Sequence, residues 1–233
     1  MGQKLYLSRK FILAILRCLN FTRTEMLDRK NIIFDLGGVL LDIAPDATLE
    51  ALRALGVAER FLTDGLNIRN DILVGLECGA VAPEDMYRAF AGSIGKECTL
   101  EVREQIKNAW CAMLGKAKIE KFHTLRALRE KGYKVFLLSN TNAIHWEVIE
   151  EKLQAIEGRP LTDYFDGVYL SFRMHACKPD DEIFEKLLAA EGINAEDCLF
   201  LDDSRDNCAT AASLGIASLL MERNAALPQW LIE

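Results

Sequence analysis

Asn31-Ile32-Ile33-Phe34-Asp35-Leu36-Gly37-Gly38-Val39-Leu40-Leu41-Asp42-Ile43 is the stretch that decides the fold. Ile32, Ile33 and Phe34 are apolar on consecutive positions, which suits a strand covered on both faces rather than one with a wet side. The run stops at a carboxylate, Asp35, and two glycines follow. Gly37 and Gly38 permit a tight turn and a close approach of backbone to a ligand. Ligands of open parallel sheets bind beyond the carboxyl ends of the strands, so Asp35 is placed where chemistry is done. Taken alone, the stretch is read equally well as a strand closed by a turn or capping aspartate.

Further along, short apolar runs recur at 134–138, 168–171, 198–201 and 216–220. Helical patterns at 119–131 and 181–190 lie between them, with Pro179 expected in the first turn of the second. This alternation predicts an α/β fold: a Rossmann-like parallel sheet with helices on both faces. Residues 45–114 break it. Leu49, Leu52 and Leu55, then Met86, Tyr87 and Phe90, then Val102, Ile106 and Trp110 fall at helical spacing. The chain therefore divides into an α/β core of 26–44 and 115–233, a small all-helical insertion of 45–114, and an N-terminal extension of 1–25. Trp110, Tyr87 and Phe90 are read as packing residues of the insertion, with a place on a pocket wall as the alternative.

The extension has Lys4, Arg9 and Lys10 ahead of Phe11-Ile12-Leu13-Ala14-Ile15-Leu16, a superficial likeness to an export signal. The apolar part is far too short to span a bilayer, and Arg17 interrupts it. A start at Met26 and an amphipathic helix packed on the domain are the other two readings. A length of 233 residues with 50% hydrophobic content allows a full core. The net charge of -7 argues against nucleic acid or an anionic membrane as partner. Any anionic substrate must then meet a local cluster of positive charge. Seven scattered cysteines without C-x-x-C spacing are read as reduced, mostly buried thiols of a cytoplasmic protein. The sequence leaves the oligomeric state open.

Four segments carry chemistry. Asp35 is the first. The second is Leu137-Leu138-Ser139-Asn140-Thr141-Asn142, where hydroxyl and amide donors gather at the start of a helix and make an anion site, or Ser139 or Thr141 merely caps it. The third is Lys178 ahead of Pro179, a point charge for a phosphoryl oxygen or a solvated loop lysine. The fourth is Asp202-Asp203, with Asp206 and Asn207 in the next turn. Adjacent carboxylates after a buried strand repel each other unless a cation or donors compensate them, which favours a hard metal such as Mg²⁺, with Asp202 as a cap of the following helix the alternative.

All four segments end strands at the same side of one sheet. In this order and spacing they resemble the haloacid dehalogenase superfamily over nearly all of residues 31–223. Members carry an aspartate after the first strand, Ser or Thr after the second, a later lysine and an acidic pair after the fourth; Asp35, Ser139, Lys178 and Asp202-Asp203 match. The helical insertion corresponds to the family's cap. The strings FDLGGVLLDI, LLSNTNAIH and FLDDSRDN look like the branch of bacterial sugar-phosphate phosphatases related to α-glucose-1-phosphate phosphatase.

The resemblance implies a phosphatase acting on a small phosphorylated metabolite. Asp35 would attack phosphorus and become an aspartyl phosphate. Mg²⁺ would be held by Asp35, the Gly37 carbonyl and Asp203, with Asp202 in its outer shell. Ser139, Asn140 and Lys178 would bind the phosphoryl oxygens. One departure stands out: most superfamily phosphatases have a second aspartate two residues after the nucleophile, and here that residue is Gly37. Asp42 or His145 is a candidate surrogate acid or substrate contact, with a structural residue after the turn and a helix-surface histidine as the alternative readings, and a leaving group that needs no acid is another explanation. Two competing functions follow: a metal-independent haloacid dehalogenase, or a phosphosugar-binding protein without turnover.

Overall fold

The computed structural model describes residues 22, 23, 26, 28–58 and 71–233. The three readings of the N-terminal extension lie almost wholly outside them. Along the chain the elements run β1 (Asn31–Phe34), β2 (Leu41–Ile43), α1 (Pro45–Ala54), α2 (Asp71–Glu77), α3 (Pro83–Ser93), α4 (Leu100–Trp110), β3 (Leu114–Ala117) and α5 (Ile119–Glu130). They continue with β4 (Lys134–Ser139), α6 (Ala143–Glu157), β5 (Gly167–Leu170), the one-turn α7 (Ser171–Met174), α8 (Asp181–Glu191), β6 (Cys198–Asp202), α9 (Arg205–Ser213) and β7 (Ala217–Leu220).

Five strands form one parallel sheet in the order β5-β4-β1-β6-β7. The α/β sheet read from the sequence is therefore the fold. Its strands are apolar at consecutive positions because each face has its own core. Phe34, Leu137, Leu199 and Leu201 pack with Phe122, Leu125 and Trp146 from α5 and α6. Ile33, Phe136, Leu138 and Phe200 pack on the opposite side with Ile183, Phe184 and Leu187 of α8. The chain leaves β1 for β4 and β5 on one flank and returns to β6 and β7 on the other. The carboxyl end of β1 is thus the switch point at which such sheets open a crevice.

Between β1 and β4 the insertion has an apolar cluster of its own, including Leu49, Leu52, Met86, Phe90, Ile106 and Trp110, and Ile144 of α6 packs against it. Tyr87, Phe90 and Trp110 are all buried there. The antiparallel pair β2–β3 stands at the base of the insertion, Leu41 opposite Ala117 and Ile43 opposite Leu114. On the far side, Ser171 Oγ donates to the Glu77 carbonyl at 2.7 Å. A Cβ at Gly79, whose φ is +71°, would run into the Phe172 carbonyl oxygen, so backbone meets backbone at this seam.

Three sequence expectations need correction. Cys78 and Cys177 are joined in a disulfide across a Cα–Cα separation of 5.9 Å, whereas all the thiols were expected to be reduced. The pair is separated by 99 residues and only the fold brings it within bridging distance. Cys98, Cys111 and Cys198 are free thiols, as expected. Pro179 precedes α8 instead of opening it: its peptide with Lys178 is cis, and Asp180 is the N-cap. Ser171 starts α7 rather than closing β5, and its hydroxyl is drawn to the Glu77 and Thr141 carbonyls.

Candidate active site

Asp35 continues the β1 ladder by donating its backbone N–H to the Leu201 carbonyl at 2.9 Å, which fixes its carboxylate at the mouth of the sheet. Ser139 ends β4, and Asp202 ends β6 with Asp203 one residue beyond. The cap of α6 is Asn142, whose Oδ1 accepts from the His145 N–H at 3.0 Å, so neither Ser139 nor Thr141 serves as that cap. Asp35, Gly37, Ser139, Asn140, His145, Lys178 and Asp203 all line one cavity of about 190 Å³.

Lys178 is the hub. Its Nζ lies 2.6 Å from Asp35 Oδ1, 2.7 Å from Asp202 Oδ2 and 2.9 Å from the Leu138 carbonyl. An ammonium has three protons, and all three are engaged. The Asn140 amide holds the lysine in place: Nδ2 donates to the Lys178 carbonyl at 2.7 Å and Oδ1 accepts from the Lys178 N–H at 2.8 Å. Asn140, expected as a phosphate ligand, thus commits its side-chain amide to the lysine's backbone.

The two aspartates of β6 differ. Asp202 is fully buried, and its oxygens accept from Lys178, Asn207 Nδ2 and the Ser204 N–H. Asp203 accepts from Arg223 Nε at 2.6 Å. A Cβ at Gly38 would come within 2.6 Å of Asp203 Oδ2, so the glycine makes room for that carboxylate. One carboxylate oxygen from each of Asp35, Asp202 and Asp203 lies within 4.8 Å of the others.

Burial, with Asp202 and Asp203 adding to it against the pull of Lys178, pushes the Asp35 carboxyl up to about 7. Burial also works against the Lys178 ammonium, but Asp202 and Asp35 outweigh it and its pKa rises. Three carboxylates beside the two cations Lys178 and Arg223 leave an excess of negative charge that a divalent ion would offset. The donor set fits Mg²⁺, an oxygen-seeking ion that keeps several waters. Asp35 and Asp203 would be the groups to hold it, since Asp202 is saturated by protein donors, and Gly37 lines the same cavity.

Neither surrogate acid is in place. Asp42 lies between Leu41 and Ile43, which face the cavity; strand alternation turns it to the other side, where Lys118 pairs with it at 3.0 Å. His145 does line the cavity, but burial lowers its pKa to about 4, so the ring is neutral at ordinary pH. Arg223 and Asn207 were missed as site residues, though Asn207 was noted in the turn. Asn224 was missed too: its amide bridges both backbone groups of Ile43, at 2.9 and 3.0 Å, and fastens β2. Arg223 and Asn224 follow β7, and no local signal in the sequence connects them to Asp203 or β2.

A family model for haloacid dehalogenase-like hydrolases matches residues 29–215. The chain belongs to that family. This haloacid dehalogenase-like hydrolase is 32% identical over 198 residues to a D-ribitol-5-phosphate phosphatase of Bacteroides thetaiotaomicron, covering 84% of this chain and 93% of the relative. It is also similar to the crystal structure of a family enzyme from the same organism in complex with magnesium and inorganic phosphate. There the TM-score is 0.75 at 32% identity, over 85% of this chain and 96% of the other. A HAD-like family hydrolase from Porphyromonas gingivalis superposes with a TM-score of 0.75 at 32% identity, over 85% and 93% of the two chains. Among the described residues no helix is long and apolar enough to cross a membrane.

Proposed function

We propose that this phosphatase cleaves small phosphomonoesters of the sugar-phosphate type with the help of Mg²⁺, through an aspartyl phosphate on Asp35. The observation that carries the reading is the convergence of Asp35, Lys178, Asp202 and Asp203 at the switch point of the sheet. In the first step an Asp35 oxygen attacks phosphorus, an O–P bond forms, and the bond from phosphorus to the alcohol oxygen breaks. In the second, water attacks phosphorus, the aspartyl bond breaks, and inorganic phosphate leaves. Bound Mg²⁺ would supply charge neutralisation at the phosphoryl oxygens.

Lys178 orients the attacking carboxylate and hands part of its hydrogen bonding to the phosphoryl group as Asp35 turns to phosphorus. Asn140 keeps the lysine in position. Ser139, at the end of β4 and 2% exposed, lines the cavity as a further hydroxyl donor. With Gly37 two residues after Asp35, the proton for the departing alcohol comes from water in the cavity. The cost is the 10²–10⁴-fold that a positioned acid usually contributes. The core of 26–44 and 115–233 supplies all of these groups except the walls that residues 45–114 place over them.

D-Ribitol 5-phosphate, the substrate named for the Bacteroides relative, heads the compounds to assay. Phosphate release that requires Mg²⁺, stops on chelation and disappears in Asp35→Asn is the expected result. Release that survives chelation, with chloride freed from 2-chloroacids, would instead support the dehalogenase reading. Equal phosphate release by Asp35→Asn and wild type would sink the nucleophile assignment.

A further inference from the structure

We propose that His145 determines specificity, as the hydrogen-bond acceptor for a hydroxyl on an uncharged leaving alcohol; this rests on the phosphatase reading above. Its ring sits at the seam between the insertion and the core, where its position is fixed on three sides. Nε2 lies 3.0 Å from the Trp110 carbonyl, the ring stacks on the Trp110 indole at 4.9 Å and 19°, and the backbone N–H is bound to Asn142. A carbonyl oxygen only accepts, so the proton resides on Nε2 and Nδ1 is left with its lone pair. Burial keeps the ring from taking a second proton at neutral pH. His145 is therefore an acceptor, not the acid that Gly37 fails to supply.

The rest of the cavity defines what that acceptor meets. Its wall beside His145 is apolar, made by Ile43, Met113, Leu114 and Ile149. Among the described residues the one cationic side chain lining the cavity is Lys178, and its three protons are already engaged. A second phosphate or a carboxylate on the leaving group would find no cation to meet it and would be desolvated without compensation. An alcohol with hydroxyls but no charge fits on both counts: its carbon chain lies on the apolar wall and a hydroxyl donates to Nδ1. The cavity of about 190 Å³ holds a short one.

The test compares a pentitol monophosphate, n-pentyl phosphate and a pentitol bisphosphate, each with Mg²⁺, on wild type, His145→Phe and His145→Gln. The wild type is expected to favour the pentitol monophosphate over both others in kcat/KM. His145→Phe, which keeps a ring against Trp110 but has no acceptor, should shrink the preference for pentitol over pentyl phosphate about tenfold, chiefly through KM. His145→Gln, which restores an acceptor, should recover most of it. Equal losses on the two monophosphates in His145→Phe would assign the residue a structural role and overturn the proposal. So would a wild type that prefers the bisphosphate or does not discriminate. Absence of phosphate release from any of the three by wild type would instead strike the phosphatase reading itself.

Discussion

Lys178 is buried with three acceptors around its ammonium, and it is the cation that Asp35 and Asp202 share, while Arg223 pairs with the nearby Asp203. Removing it leaves buried carboxylates uncompensated, so Lys178→Ala should lose about 3–5 kcal/mol in denaturant unfolding without metal. Mg²⁺ should return part of that loss, because a divalent cation attracts the same carboxylates. As the proposed nucleophile Asp35 would attack only when ionised, and its pKa is raised to about 7 by burial and by Asp202 and Asp203. Activity should accordingly fall tenfold per pH unit on the acid side. More Mg²⁺ should move that limb to lower pH, since a nearby cation favours the carboxylate; a limb that ignores Mg²⁺ would contradict the account. That Asp35, Lys178 and the pair Asp202-Asp203 meet at one end of the sheet was legible because Asp35 and the acidic pair close apolar strands and Lys178 stands in the turn before a helix. The bond from the Asn140 side chain to the Lys178 backbone was not legible, because the two stand 38 residues apart. Asp42 was left between proton donor and structural residue of the turn, because its pairing with Lys118 depends on the β2–β3 pair that only the fold brings together.

At the scale of elements, the seam between α2 and α7 is the informative one. Glu77 ends α2 and burial raises its carboxyl to about 7. Between the ordinary glutamate pKa and that value the folded chain binds more protons than the unfolded chain, so this group's contribution to stability declines as pH rises through the interval. Glu77→Gln removes the titration: relative to wild type it should be more stabilising at pH 8 than at pH 5 in urea unfolding. One residue on, Cys78 ties the insertion to Cys177, the neighbour of Lys178. Non-reducing peptide mapping should recover the two cysteines in one cross-linked fragment, and the Cys78→Ser/Cys177→Ser variant should be less stable by about 2–4 kcal/mol. Recovery of both cysteines as free thiols would contradict the pairing. Cysteine counting could not see this pair, because a disulfide depends on a through-space distance and its partners stand 99 residues apart.

For the whole molecule, the parallel sheet was legible because its strands are buried on both faces and therefore carry apolar residues without alternation. Side chains from within 45–114, where the sequence changes period, form an apolar cluster that Ile144 of α6 joins. What the sequence did not disclose is how the two parts meet: Trp110 of α4 carries His145 of α6, and Asn224 beyond β7 fastens β2. Those contacts join distant segments through backbone groups, which any residue offers and no motif records. The central claim is that the sheet's switch point makes Asp35 a nucleophile. Its most direct measurement is acid quench during turnover, borohydride reduction and peptide mass mapping. An aspartyl phosphate should be reduced to homoserine at position 35, with none in Asp35→Asn. Rapid phosphate release under the same conditions with no homoserine at 35, or with homoserine at another aspartate, would contradict it.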